Sequence, residues 1–378
     1  MGDIMGHGPQ IRAAFQDSSK TYNYNEVFSP LKELASSVDF AIANLEVTLA
    51  GPPFEGYPKF SSPDELAVAC KNNGIDALVT ANNHSCDRGD EGLIRTINVL
   101  DSLSIKHTGT FSDYNYRDSL NLLVFSKDDI NIGLLNYTYG TNNMPFNHPT
   151  YVNLIDSSLI RSDVEKAKSK DIDKLIVFVH WGFEYNDFPS TYQKKYNEFF
   201  KSLAVDVVVG SHPHVIQPIM YQKGNRKSKE FLSVYSLGNL VSNQRDRKKD
   251  GGVMLRLSFK KEFEKIKISQ KNYILTWVYK YQKNSKNHYE ILPCTHEKYD
   301  SSYFDNPAHF SSMQTFINDS RTHLKNNSIN IEEGKPYPDP YLNRIPPQRI
   351  KLKASKDKVK ALKLKNRKSI FQRRKRVK

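Results

Sequence analysis

Six positions scattered through the first 214 residues carry side chains that could do chemistry: Asp3, Glu46, Asn83, His180, His212 and His214. Two carboxylates, one amide and three imidazoles form a ligand set suited to a divalent ion such as Mn, Fe or Zn. Two such ions about 3.5–4 Å apart can share a bridging carboxylate and clamp an in-line displacement at phosphorus. Singly, each residue says little. A histidine at a strand end is more often a hydrogen-bonded structural residue than a ligand, and Asn82-Asn83 also suits a plain turn. His212 and His214 say more, because alternation in an extended segment would set both imidazoles on one side. His84, beside Asn83, could exchange a proton with a leaving group, or simply hydrogen-bond to Asp87.

Position is what joins these residues. Residues 38–43 read as a strand running into Asn44-Leu45-Glu46, and residues 75–80 as a strand ending at Ala81-Asn82-Asn83-His84. Residues 175–179 and 205–209 are apolar runs typical of strands buried on both faces, ending at His180 and at Gly210-Ser211-His212-Pro213-His214. Ser62-Pro63-Asp64-Glu65 reads as a capping box opening a helix that stops at Asn73-Gly74. A second helix spans 89–104, with Leu93, Ile97 and Leu100 on one face. Strands alternating with helices indicate a mostly parallel α/β sheet, whose strand carboxyl ends converge on one edge. Residues 120–139 read as two strands around Lys127-Asp128-Asp129, 267–281 as a long edge strand, and 311–326 as a short helix. Glycines 2, 89, 182, 210 and 238 would let backbone approach a ligand. Asn239 reads as a turn residue or as a contact behind the ligands.

With 378 residues, 38% of them hydrophobic, the chain can build one large core with appendages. The division expected is a domain over 1–295, an irregular extension over 296–350, and a basic, disordered tail over 351–378. The formal charge of +14 is weighted toward that tail, where Asp357 is the sole acid. Such a tail attracts polyanions through its Coulomb field. No stacking aromatic pattern or recognition helix accompanies it, which argues against specific nucleic-acid binding. Cys70, Cys86 and Cys294 form no C-x-x-C pair, so dependence on disulfides is not expected. No run of about 18 apolar residues and no signal peptide is visible. As written the chain reads as cytoplasmic. It reads as cell-envelope associated if its N-terminus is truncated, since Gly2-Asp3 normally follows a strand.

Taken in order, these motifs resemble the CapA family of bacterial capsule and poly-γ-glutamate synthesis. The matching pieces are Gly2-Asp3-Ile4-Met5, Ala43-Asn44-Leu45-Glu46, Ala81-Asn82-Asn83-His84 with Asp87, His180-Trp181-Gly182 with Glu184-Tyr185, Gly210-Ser211-His212-Pro213-His214, and Tyr235-Ser236-Leu237-Gly238-Asn239. The resemblance implies an α/β fold of the calcineurin-like metallophosphoesterase type, an α/β/β/α sandwich of mixed sheets flanked by helices. It implies Asp3, Glu46, Asn83, His180, His212 and His214 as ligands of one or two divalent metal ions, with Glu46 bridging. It implies His84 as the catalytic residue, with Asp87, Glu184 and Asn239 behind the ligands or on the substrate. The chain departs from the superfamily at Met5, which stands where Asp-x-His has a ligand; His7 is close by at the wrong spacing.

The role implied is exopolymer biosynthesis, with an anionic polymer or a phosphoester as substrate and a membrane-bound synthesis complex as partner. Two readings stay open. One is a metal-dependent hydrolase. The other, which Met5 favours, is a non-catalytic component that binds anionic polymer in an export or synthesis assembly.

Overall fold

The structure, a computed structural model, describes residues 1–226, 228–295 and 299–335. The expected basic tail and the proline cluster ahead of it lie outside the described residues.

Two sheets face each other. The first runs, in spatial order, Asn239–Val241, Asp3–Ile4, Ile42–Leu45, Ala77–Val79 and Lys106–Thr108, every neighbour parallel. The second is Ile219–Gln222, Phe231–Val234, Val207–Ser211, Lys174–His180, Ile130–Thr138 and Leu123–Lys127, parallel in its middle with an antiparallel strand at each edge. Side-chain alternation explains why they stack. Ala77 and Val79 of the first sheet share a core with Leu134, Phe178, Val207 and Val209 of the second. Their neighbours point the other way. Leu78 packs with Leu66, Cys70 and Leu100 of the helices Glu65–Asn72 and Gly89–Ser102. Leu135, Val177 and Val208 pack with Ile160, Val164 and Phe200 of the helices Ser157–Lys168 and Thr191–Ser202. Each fully buried aliphatic side chain contributes about 1.5–3 kcal/mol. The α/β/β/α sandwich follows from strands apolar on both faces.

A third, antiparallel sheet joins Gly251–Glu262, Lys265–Lys283 and Lys286–Pro293. The long strand expected at an edge is therefore central. Its partner Lys286–Pro293 is polar and half-exposed over its first three residues, with Tyr289, Ile291 and Leu292 buried toward its end, so its apolar run is short. Asn284 and Ser285, both at positive φ, close the hairpin between them. Glu332–Glu333 also pairs with the long strand. The helix read at 311–326 is Pro307–Asn327, starting four residues earlier behind the Asn306 cap.

Other boundaries moved for identifiable reasons. The first long helix begins at Glu65 without the expected capping box: Ser62 Oγ has no hydrogen-bond partner among the described residues, and the Asp64 carboxylate takes two hydrogen bonds from Arg95, at 2.7 and 2.9 Å, rather than capping backbone. The strand read at 38–43 is Ile42–Leu45, so Asn44 lies within it. The turn at Asp128-Asp129 is as expected, both residues at positive φ between Leu123–Lys127 and Ile130–Thr138. All three cysteines are buried and free. No described helix is long and apolar enough to cross a membrane.

Candidate metal centre

Parallel strands bring their carboxyl ends to one rim, and every residue singled out for chemistry except Glu184 is buried there. Asp3 opens a strand and aligns with Asn44 on one side and Asn239 on the other. Glu46 follows Ile42–Leu45 directly, Asn83 and His84 follow Ala77–Val79, and His180 ends its own strand opposite Ser211. Asp3, Glu46, Asn83, His84, His180, His212 and His214 are all at least 96% buried.

Single ligand atoms of Glu46, His180 and His212 lie within 4.8 Å of one another, as do those of Asp3, Glu46 and His214. Glu46 belongs to both groups. Its Oε1 is 3.4 Å from His180 Nε2 and 3.8 Å from His214 Nε2. His214 Nδ1 is 3.3 Å from Asp3 Oδ2 and 3.0 Å from Asn239 Oδ1. Asn83 Oδ1 is 2.8 Å from His180 Nε2. Two buried atoms, Glu46 Oε1 and His212 Nδ1, have no hydrogen-bond partner among the described residues. A buried acceptor left unpaired costs about 1–3 kcal/mol, and more when charged. An orphan carboxylate oxygen set within 3.8 Å of two imidazole nitrogens fits a divalent cation.

Electrostatics agree with that fit. Burial, then the Asp3 carboxylate beside it, pushes the Glu46 carboxyl well above its ordinary range. Burial, then neighbouring imidazoles, holds His180 and His212 well below theirs, so both rings are neutral and offer lone pairs. A cation at this point would favour ionised Glu46 and is compatible with neutral imidazoles.

The pair His212 and His214 meets by a different route from strand alternation. The strand ends at Ser211, and both histidines sit in a turn at φ of 98° and 57°. Their ring centroids are 6.0 Å apart. Left-handed backbone at non-glycine residues is strained and persists where its surroundings hold it. Here Asp3 Oδ2 accepts from the His212 backbone N–H at 3.3 Å. The flanking glycines also serve another purpose than ligand approach. A Cβ on Gly2 would lie 2.0 Å from the Gly238 carbonyl oxygen, and one on Gly210 would lie 2.1 Å from that of Tyr235. Strand-to-strand packing demands them.

His84 Nδ1 lies 2.8 Å from Asp87 Oδ2, which also accepts from the Phe60 N–H at 2.8 Å. Asn239 Nδ2 donates to Lys249 O and Gln244 Oε1 while its Oδ1 faces His214. Glu184 is exposed at the mouth, near enough to raise Glu46 and the Tyr139 and Tyr185 phenols. Met5 is buried in the apolar core rather than turned into the cleft. His7 stands edge-on to Phe60, which stands edge-on to His84. Burial lowers His7 to about 4.

Sequence reasoning missed three supports. Asn44 Nδ2 donates to Asp3 Oδ1 at 2.8 Å. Ser211 Oγ lies 2.9 Å from His180 Nδ1. Asn82 Nδ2 donates to Leu45 O at 2.8 Å, and its Oδ1 accepts from the His84 N–H at 3.1 Å, tying two strand-end loops together. Their one signal was adjacency to Leu45-Glu46, His212 and Asn83.

The family model described as "Bacterial capsule synthesis protein PGA_cap" matches residues 1–244. The chain is 25% identical over 261 residues to the capsule biosynthesis protein CapA of Bacillus anthracis, covering 65% of this chain and 59% of that one. It is 27% identical over 183 residues to the PGA biosynthesis protein CapA of Bacillus subtilis strain 168, covering 48% and 46%. The chain thus spans about half the length of these relatives. A crystal structure of the calcineurin-like phosphoesterase YfkN from Bacillus subtilis is similar at 12% identity and a TM-score of 0.40, over 83% of this chain and 96% of that one.

Proposed function

The chain belongs to the CapA family of bacterial capsule synthesis proteins, whose model spans residues 1–244, and from that premise we propose that it is a metal-dependent hydrolase of exopolymer biosynthesis acting on a phosphoester. The observation that carries the reading is the shared position of Glu46. One fully buried carboxylate belongs to two ligand groups, with an oxygen left unpaired between three imidazoles.

Asp3, Glu46, Asn83, His180, His212 and His214 would hold one or two divalent ions, of which Mn, Fe and Zn suit the donor set. The ion supplies Lewis-acid polarisation of the phosphoryl oxygen and neutralises developing charge. The protein's own residues do the rest. Asp87 orients His84 through Nδ1, which leaves Nε2 to pass a proton to the leaving oxygen. Asn44 and Ser211 fix Asp3 and His180 against rotation. Asn239 holds His214 toward Asp3.

Metal analysis of purified protein and turnover of a bis-aryl phosphodiester test the reading together. His84→Ala should cut the rate by about 10²–10⁴-fold with metal content unchanged. Protein that takes up no Mn, Fe or Zn, or a rate indifferent to His84→Ala, removes it. Met5 favours the second reading, a non-catalytic polymer-binding component, because a buried thioether supplies no hard donor where one is expected. Polymer binding that survives chelation and His212→Ala would support that alternative.

A further inference from the structure

Beside the metal centre, residues 183–188 place three aromatic side chains in solvent. Phe183 is 63% exposed, Phe188 59% and Tyr185 47%. Scattered exposed aromatics need no explanation, but three in six residues do.

Mobility is not the explanation, because the backbone beneath them is pinned. The Tyr185 N–H donates to Pro213 O at 2.8 Å, between the two histidines of the turn. Gln217 Nε2 donates to Asn186 O at 2.8 Å and to Phe188 O at 3.1 Å, and Gln217 Oε1 is itself held by Gln193. Tyr185 is kept at a φ of 65°, a conformation strained for a bulky residue. Its ring stands 6.2 Å from that of His214. A strained, anchored loop that presents rings to solvent at the mouth of a reaction site is built to meet what enters the site.

The intervening residues identify the chemistry. Aromatics alternate with Glu184, Asn186 and Asp187, and the loop has no lysine or arginine. Apolar ring faces interleaved with carboxylate and amide acceptors match a pyranose, which offers C–H faces and hydroxyl donors. Lys248 pairs with Asp187 and Lys249 Nζ stands 4.0 Å from the Tyr185 ring, so Glu184 and Asp187 are balanced and the loop carries no excess positive charge to gather a string of carboxylates.

We infer that the loop Phe183–Phe188 is a carbohydrate subsite, and that the substrate of the metal centre carries a neutral sugar ring next to the bond that is cleaved. This rests on the hydrolase reading for its second half only. The first half stands on the loop itself.

Two measurements on the full chain separate them. Saturation-transfer NMR with neutral gluco-, manno- and N-acetylglucosamine tetramers, and with tetra-γ-glutamate, reads the subsite without any turnover. At least one neutral tetramer should bind, and Phe183→Ala and Phe188→Ala should each weaken it about tenfold, the contribution of one stacked ring face. Binding of tetra-γ-glutamate alone, or of no neutral tetramer, overturns the inference. Kinetics of the metal-loaded protein with glucose 1-phosphate and glycerol 3-phosphate read the second half. Phe183→Ala should lower kcat/KM for the sugar ester about tenfold and leave the glycerol ester unchanged. Equal loss on both substrates overturns the assignment to the substrate. Turnover of neither ester, with the bis-aryl phosphodiester also inert, sinks the hydrolase reading, and the NMR result then decides the subsite. Both phenylalanines are exposed, so unchanged thermal unfolding of the variants is expected and checks their folding.

Discussion

Replacing Glu46 by glutamine separates the two states that a buried carboxylate can have in this cleft. The side chain is fully buried, Oε1 has no partner among the described residues, and the Asp3 carboxylate lies beside it. In metal-free protein, burial and the Asp3 carboxylate favour the protonated form of Glu46. Its unfolded counterpart ionises near 4.5, so keeping the folded carboxyl protonated at pH 7 costs stability, with a ceiling of about 3 kcal/mol. Glutamine has nearly the same shape and pays no such cost. In chelator at pH 7, Glu46→Gln should therefore melt higher than wild type, by up to about 6 °C. Manganese reverses the order. An ion at a hundred times its Kd stabilises wild type by about 2.7 kcal/mol, and the variant should gain little. The assay is differential scanning fluorimetry of both proteins with EDTA and with 1 mM manganese (about 1 mM, chosen for saturation), and the signature is crossing stabilities. A variant that melts lower than wild type in chelator would show Glu46 ionised and paired with protonated His180 or His214, refuting the electrostatic argument. An undiminished manganese shift in the variant would refute the role of Glu46 as ligand.

Three further outcomes are expected. Metal-free wild type should lose more stability at alkaline pH than Glu46→Gln does. Glu46, its folded pKa raised, contributes stability that is present below 4.5 and lost as pH rises, whereas His180 and His212, theirs lowered, contribute stability present above 6.5 and lost as pH falls. Other shifted groups act alongside these, so Glu46 is isolated by difference; urea titrations across pH 5–9, a range of about four units, should show the stability of Glu46→Gln relative to wild type grow as pH rises. Asp87→Asn should lower kcat about 10–100-fold with metal content intact, because an amide oxygen accepts from His84 Nδ1 less strongly than a carboxylate and holds the ring less firmly; unchanged kcat would free His84 from Asp87. Asn44→Ala should cost about 1–3 kcal/mol and weaken metal binding at least about tenfold, read by urea unfolding and by competition with a chromogenic chelator, since Asp3 Oδ1 loses its donor; unaltered metal affinity would make Asn44 a bystander.

Much of this was local and hence legible in the chain. Apolar runs such as 175–179 specify strands buried on both faces whatever surrounds them, and the polar residue that ends each run must lie at a sheet edge. That alone placed Glu46, Asn83, His84 and His180. Asp128-Asp129 and Asn73-Gly74 mark their turns by backbone preference, again a local property.

Tertiary structure decided the rest. Lys265–Lys283 is central because Lys286–Pro293 pairs with it, a strand whose polar start and short apolar end give it only a weak signal in sequence. His212 and His214 converge through a strained turn that Asp3 steadies from 209 residues away in sequence. Asn44, Asn82 and Ser211 look like ordinary strand-end polar residues until the carboxylates and imidazoles they hold are brought within hydrogen-bond reach. Residue type and spacing state which side chains can bind a cation. Only the folded chain, by burying them together at low dielectric, settles which are neutral, which are orphaned, and which are held in place.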